Sequence, residues 1–184
     1  MRFVPSLFAI VAVFLFVGRA EGQKAKPVTI ENLVTAQPVP EGYAASLNEL
    51  KDSETLLGHR LVFTKEGAVS KVMVTVEERK LPDKGHKVAA LKGYINGTAK
   101  SLAAAGLKLV KKDIPDIEKV NVNKRTKCSL TYKTAEGADI FVQMQILFTN
   151  FGYNIMVVAD NEDDYKALTK WAETIQPMKK DPNK

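Results

Sequence analysis

The sequence predicts an α+β protein, an α/β/α sandwich in which helices cover both faces of a central antiparallel sheet. Residues 127–160 contain three strand patterns separated by short turns, which is typical of a meander. The middle strand, residues 140–148, carries apolar side chains on both of its faces. Amphipathic helical patterns end at Gly106 and begin after Asp160. A sheet with two apolar faces needs cover on both sides, and the two helices can supply it.

Residues 1–22 have the layout of a secretory signal peptide. A positively charged start is followed by an apolar run at residues 3–17 and by small residues up to Gly22, ahead of the polar Gln23. The run is shorter than the roughly 20 residues that span a bilayer. We expect cleavage after Gly22, or after Ala20, and a secreted or periplasmic mature chain without a stable membrane span. An uncleaved membrane anchor is the alternative.

Composition favours a single domain after the signal peptide. The chain is 45% hydrophobic and 26% charged, as ordinary globular proteins are. Residues 23–55 contain several prolines and no sustained period, so they predict an extended leader with a short helical turn near residues 46–50. Residues 56–178 form the predicted domain, and residues 179–184 form a polar tail.

The predicted domain begins with a hairpin. Residues 56–64 are rich in apolar side chains, and residues 65–67 supply a turn that ends in glycine. Residues 72–76 then have valine at every second position, which predicts the second strand.

The first helix is predicted between Asp83, which can cap its start, and Gly106, which can end it. Its apolar stripe consists of Val88, Leu91, Ile95, Leu102 and Ala105. Gly93 and Gly97 each cost about 1 kcal/mol relative to alanine in a helix, and we interpret them as points where the helix backbone approaches the sheet closely, the alternative being a locally frayed helix. Residues 96–98, Asn-Gly-Thr, match a glycosylation acceptor, and whether Asn96 is modified is left open.

The second half of the domain reads as strands followed by one helix. Residues 107–110 predict a strand, and residues 111–125 predict a connection that contains an irregular strand. The meander follows, and Asp160 or Asn161 can cap a last helix that Pro177 ends. The predicted order of elements is β-β-α-β-(β)-β-β-β-α. The buried stripe of the last helix is Tyr165, Leu168, Ala172 and Ile175, with Trp171 beside it.

Residue types that carry catalysis or bind metals are scarce. Cys128 is the only cysteine and lies on the apolar side of its predicted strand, which favours a buried, inert thiol and excludes an intrachain disulfide. The only histidines, His59 and His86, fit no metal or nucleophile–base spacing. The acidic residues 162–164 suit the start of a helix. The sequence therefore predicts no catalytic residue, no metal and no cofactor, and a protein that is not an enzyme.

Basic residues are concentrated between the first helix and the meander. The chain has 27 Lys and Arg against 21 Asp and Glu, a formal net charge of +6. We predict that one edge of the sheet presents a patch for an anionic partner, such as an acidic polysaccharide, lipid headgroups or an acidic protein. The patch consists of Lys108, Lys111, Lys112, Lys124, Arg125 and Lys127. The alternative is an edge strand that lysines protect from aggregation. Nucleic acid is not expected, because basic and aromatic residues do not interleave.

Residues 57–178 resemble the PsbP family and its relatives, the Mog-type Ran-binding proteins and the DcrB-like bacterial envelope proteins. The residues that carry the resemblance are the helix 91–106 with its Ala-Ala-Gly end, the strand start Leu107-Lys108-Leu109-Val110, the triplet Leu130-Thr131-Tyr132, residues 152–159 and the ending Ile175-Gln176-Pro177-Met178. The resemblance implies an α/β/α sandwich and a non-enzymatic accessory or binding role. None of these residues is a functional motif, so no Ran-contact or photosystem residue is carried over.

Three hypotheses for function follow. The first is a secreted or periplasmic accessory protein that binds another macromolecule, an unknown protein or an anionic envelope component. The second is a DcrB-like envelope factor associated with the inner membrane. The third is a small-ligand carrier or hydrolase whose pocket lies between the sheet and the first helix, at Gly93 and Gly97.

Overall fold

The computed structural model describes residues 29–30, 34–35, 38–53, 56–77, 81–149 and 151–177. The predicted signal peptide and polar tail lie outside these residues, as does part of the predicted leader. The strands are β1 (Thr29–Ile30), β2 (Val34–Thr35), β3 (Tyr43–Ser53), β4 (Leu56–Lys65), β5 (Lys71–Glu77), β6 (Lys108–Asp113), β7 (Thr126–Lys133), β8 (Asp139–Phe148), β9 (Gly152–Ala159) and β10 (Gln176–Pro177). The helices are α1 (Lys84–Ala104) and α2 (Glu162–Ala172).

Seven strands form one antiparallel sheet in the order β3-β4-β5-β9-β8-β7-β6. The short strands β1, β2 and β10 form a separate small sheet. The predicted hairpin β4–β5 and the predicted meander β7–β8–β9 are both confirmed. In the meander Leu130 is opposite Val142, which is opposite Val158, so these three side chains share one face.

Two cores lie on opposite faces of the sheet. On one face α2 packs over β4, β5 and β9, where Phe63 meets Trp171 edge to face with ring centroids 4.7 Å apart. On the other face α1 packs over the meander, where Leu91 and Ile95 are buried with Met144. Because the central strands carry apolar residues on both faces, both helices are needed to remove them from water. The predicted α/β/α sandwich is confirmed.

Helix α1 starts and ends where the sequence predicts. The Asp83 side chain accepts a hydrogen bond from the backbone N–H of His86 at 2.9 Å and so caps the first turn. Gly106 adopts φ of 84°, a conformation that favours glycine, and its N–H donates to the Ala103 carbonyl at 2.9 Å. The Leu107 N–H donates to the Leu102 carbonyl at 3.1 Å, which completes a Schellman ending.

Helix α2 is capped by the second of its two candidates. The Asn161 side chain accepts a hydrogen bond from the Asp164 N–H at 2.8 Å. Three acidic residues occupy the first turn, where the positive end of the helix dipole stabilises them. The predicted stripe is confirmed on α2 at Leu168 and Ala172, which are buried, whereas Ile175 is buried beyond the end of the helix. Pro177 does not end the helix, because α2 stops at Ala172 and Pro177 lies in β10.

The interpretation of Gly93 and Gly97 is wrong. Both residues are exposed on α1, and a Cβ placed on either one would meet no atom within 4 Å. The helix approaches the sheet through other residues, including Leu91 and Ile95. The carrier or hydrolase hypothesis placed a pocket between these glycines and the sheet. Because both glycines face solvent, that hypothesis loses its site.

Replacing Gly93 or Gly97 with alanine should stabilise the protein. Each substitution is expected to raise the free energy of unfolding by about 1 kcal/mol, because alanine loses less backbone entropy in a helix and open space surrounds both positions. Urea unfolding monitored by circular dichroism measures the change. Gly58→Ala is the contrasting variant, since its Cβ would lie 2.6 Å from the backbone oxygen of Val76 and should destabilise β4. A loss of stability in Gly93→Ala would contradict the prediction.

Two further expectations are corrected. Residues 46–50 lie in the strand β3 instead of a helical turn, and β3 pairs with β4 along most of its length. The sheet therefore starts at Tyr43, inside the predicted leader. Residues 114–125 form turns where an irregular strand was predicted. There the Asp116 and Asn121 side chains accept hydrogen bonds from the backbone N–H groups two residues later, which favours turns over a strand.

Candidate anionic-partner surface

Strand β6 forms one edge of the seven-stranded sheet, and all six of its side chains are exposed. Its two apolar side chains are also exposed to solvent, Leu109 to 42% and Val110 to 47%. An edge strand presents backbone N–H and C=O groups that have no neighbouring strand on one side. The edge therefore combines open backbone groups, apolar side chains and charge.

The register with β7 places the lysines of β6 on both faces of the sheet. Lys111 is opposite Thr131, on the face that α2 covers, while Lys112 is opposite Leu130, on the face that α1 covers. The pairing shifts between Leu109 and Lys111, so Val110 lies at an irregularity in the strand. Positive charge consequently surrounds the edge instead of lying on one face.

The lysines of β6 have no ion-pair partner among the residues that the structure describes, unlike the lysines around them. The paired lysines are Lys133 with Asp139 at 2.9 Å, Lys127 with Glu173 at 2.6 Å and Lys119 with Asp116 at 3.1 Å. Lys108, Lys111, Lys112 and the nearby exposed Lys124 lack such partners within the described ranges. We call Lys108, Lys111 and Lys112 the β6 basic edge.

Two residues of the predicted patch, Arg125 and Lys127, lie elsewhere, where their side chains contact the C-terminal end of α2. The Arg125 guanidinium donates to Gln145 Oε1 at 2.7 Å, to the carbonyls of Ala172 and Glu173 at 3.0 and 3.2 Å, and to the carbonyl of Ile175. Burial lowers the pKa of Arg125, and the Glu173 carboxylate opposes that shift. The Arg125 guanidinium thus donates its hydrogen bonds to carbonyl groups of the protein itself, which makes it less available to a partner.

The predicted patch therefore divides into separate groups. Lys108 is level with Lys133 at one end of β7, whereas Lys127 lies near the other end of that strand. At about 3.4 Å per residue, Lys108 and Lys127 are about 20 Å apart along the strand. Lys112, which is opposite Leu130, is about 10 Å from Lys127 along the strand and lies on the other face of the sheet. Lys124 stands in the turn before β7, next to Arg125. Lys108, Lys111 and Lys112 are the part of the patch that the structure brings together on one strand.

A cleft of about 290 Å³ lies beside the β6 basic edge, on the face that α2 covers. Its lining residues are Lys111, Asp113, Ser129, Thr131, Phe141, Glu162, Tyr165 and Lys166. The rings of Phe141 and Tyr165 lie 5.5 Å apart, and the Tyr165 hydroxyl bonds to Ser129 Oγ at 3.2 Å. This cleft was not predicted from the sequence. Phe141 lies on the face of β8 that α2 covers. An aromatic residue at this position was a sequence signal that this face packs against another element.

A second cleft of about 450 Å³ separates the start of α1 from the turn at residues 119–123. Lys87 Nζ crosses from α1 and donates to Asn123 Oδ1 at 2.7 Å. Asp83 also lines the cleft, but its carboxylate is used in capping, and hydrogen bonds from His86 lower its pKa. Lys87 and Lys119 of this cleft thus have local acceptors, in contrast to the lysines of the β6 basic edge.

The residues considered for catalysis do not come together. His59 lies in β4, and His86 Nδ1 lies 2.9 Å from Asp83 Oδ1 at the start of α1. Within the ranges that the structure describes, no three His, Cys, Asp or Glu side chains are grouped as metal ligands. Cys128 is buried, as predicted, and burial raises its pKa to about 11, so the thiol is protonated near neutral pH. Asn96 is exposed on α1, and its glycosylation stays a prediction.

Neither of the two described helices combines the length and the apolar composition that a bilayer crossing requires.

No protein-family model and no curated protein sequence matches the chain. Among solved structures, it is similar to the solution structure of cyanobacterial PsbP (CyanoP) from Synechocystis sp. PCC 6803. The two are 14% identical, with a TM-score of 0.47, over 89% of this chain and 98% of that chain. This similarity assigns no role to any residue.

Proposed function

We propose that the chain is an exported, non-catalytic accessory protein that binds an anionic macromolecule through the β6 basic edge. The observation that carries this proposal is the set of lysines on β6, which are exposed and without acidic partners among the described residues. Export rests on the predicted signal peptide at residues 1–22.

The distribution of acidic side chains supports the proposal. Neighbouring lysines are paired with Asp139, Glu173 and Asp116. Lys111 and Lys112 form no ion pair among the described residues, and Asp113 is the one acidic residue on their strand. Like charges held on one short strand repel each other, which costs stability in the isolated protein. An anionic partner would relieve that repulsion, and electrostatic attraction would also speed its association.

Charge reversal of the β6 basic edge tests the proposal. The variant Lys108→Glu, Lys111→Glu, Lys112→Glu is expected to elute from a heparin column at much lower salt than the unaltered protein, because three lysines no longer displace counterions from the polyanion. All three positions are exposed, so circular dichroism should be unchanged. The measurement is the salt concentration at elution.

The matched control carries the same change of net charge at other exposed lysines, as Lys65→Glu, Lys84→Glu, Lys100→Glu. Its elution should shift much less. Equal shifts in the two triple variants would mean that only net charge matters. The lysines of β6 would then serve to protect an edge strand from aggregation, and the proposal would fail.

The inner-membrane alternative can be separated by the choice of anion. Vesicles of anionic phospholipid would bind the protein if headgroups were the partner, and the β6 variant would then bind less than the control. Binding to acidic protein segments but not to such vesicles would favour a protein partner and reject the membrane alternative.

A further inference from the structure

We infer that the partner contributes an extended acidic protein segment, which adds to β6 as a further strand of the sheet. The inference rests on the proposed function, since it assumes that the β6 basic edge binds an anionic partner. It adds the class of partner and the way in which the partner is held.

The backbone of β6 favours strand addition. The strand pairs with β7 on one side only and is the last in the order of the sheet. On its outer side every second residue directs N–H and C=O groups away from β7. An extended segment can satisfy these groups with main-chain hydrogen bonds, which is a recurring mode of peptide recognition.

Charge determines which strand can occupy the edge. If a second copy of β6 were paired there, a register that places Lys111 opposite Lys112 would be destabilised by like charges, whereas an antiparallel register that places Lys108 opposite Asp113 would not. Acidic side chains on one face of an added strand would lie beside Lys108 and Lys111. Because β6 carries three lysines and one aspartate, an acidic strand complements its charge better than a second copy does.

The opposite edge of the sheet lacks this complementarity. It is formed by β3, whose residues 43–47 carry no charge and whose residues 48–53 include one lysine and two acidic residues. Leu47 is 50% exposed there, so the β3 edge is open but has no excess of positive charge. An acidic segment should consequently choose β6 over β3.

Side chains of the added strand have distinct surroundings on its two faces. On the α2 side they would reach the cleft that contains Lys111, Phe141 and Tyr165, where a carboxylate can meet the Lys111 ammonium group beside aromatic rings. Two acidic residues also line this cleft: Glu162 is paired with Lys166 at 2.9 Å, and Asp113 lies at the end of β6. On the α1 side the exposed Leu109 offers an apolar contact. The geometry thus suits a segment that alternates acidic and apolar residues.

The test uses a synthetic peptide of eight residues that alternates Glu and Val. Two analogues carry backbone N-methyl groups, one on the Glu residues and the other on the Val residues, so that all three peptides have equal charge. We expect the unmodified peptide to bind and at least one analogue to bind tenfold or more weakly, because N-methylation removes the donors that face β6. Hydrogen–deuterium exchange of the full chain should slow at residues 108–113 when the unmodified peptide is bound.

The outcomes separate this inference from the proposed function. Equal binding of all three peptides, with loss of binding in the triple Lys→Glu variant, would overturn strand addition and leave electrostatic binding intact. Binding of the unmodified peptide to that variant as strongly as to the unaltered protein would overturn both. Slowed exchange at residues 43–53 in place of residues 108–113 would show that the peptide uses the other edge, which also overturns the inference.

Discussion

Replacing Arg125 with alanine is expected to lower the free energy of unfolding by about 3 kcal/mol, as measured by urea denaturation. Hydrogen bonds to a charged group each contribute roughly 1.5–3 kcal/mol, and water can compensate part of the loss at the exposed end of the site. Arg125 makes several such bonds from one guanidinium group, to Gln145 on β8 and to the chain after α2. Its loss should therefore cost more than that of an ordinary surface charge.

The contacts of Arg125 explain the size of this effect. The last carbonyl groups of a helix have no partner within the helix, and a cation nearby also interacts favourably with the helix dipole. Arg125 donates hydrogen bonds to the carbonyls of Ala172 and Glu173 and places its positive charge at this end of the helix. It also holds the fully buried Gln145, whose Nε2 donates to Gln143 Oε1 at 2.8 Å. Removing the guanidinium leaves acceptors unsatisfied on both β8 and α2.

Two neighbouring substitutions serve as controls for Arg125→Ala. Lys124→Ala removes the adjacent charge. The Lys124 side chain is exposed and makes no hydrogen bond or ion pair among the described residues, and its backbone N–H bond to the Asn121 carbonyl is kept, so stability should change by less than about 0.5 kcal/mol. Arg125→Lys keeps the charge but replaces the planar donor group by a single ammonium, so an intermediate loss is expected. A loss below about 1 kcal/mol in Arg125→Ala would contradict the structural role assigned to this residue.

Patterns that repeat over neighbouring residues allowed the sheet and helices to be predicted. The alternation of Cys128, Leu130 and Tyr132 placed β7, and all three side chains are buried on one face. Asp83 and Gly106 marked the ends of α1, because a side-chain cap and a residue with positive φ are local requirements. Such features depend on the chain within a few residues, and the sequence shows them directly.

Features that depend on distant contacts could not be predicted in the same way. Strand β3 is an edge strand with exposed residues such as Ala45 and Leu47, so it lacks the apolar alternation of a buried strand. Gly93 suggested a close approach, but only the orientation of α1 shows that it faces solvent. The sequence shows the charge of Arg125 but not its acceptors, which lie 20 to 50 residues away. The predicted basic patch divided for this reason.

Substitutions on the two faces of the sheet should destabilise the protein to similar extents. Phe63→Ala is expected to cost about 3–5 kcal/mol and Leu91→Ala about 2–5 kcal/mol, because both side chains are fully buried and their removal leaves a cavity. Phe63 belongs to the core under α2, and Leu91 belongs to the core under α1. Val69→Ala, at a position 50% exposed, is the control and should change stability by less than about 0.5 kcal/mol.

The same variants test whether the two cores unfold together. Trp171 is the only tryptophan and packs against Phe63, so its fluorescence reports on the α2 side alone. Strands β8 and β9 contribute side chains to both cores, which should couple them into one cooperative unit. Leu91→Ala is therefore expected to shift the urea midpoint of Trp171 fluorescence as much as that of circular dichroism. An unshifted fluorescence midpoint, with a two-step circular dichroism curve, would mean that the α1 face opens while the α2 face stays folded.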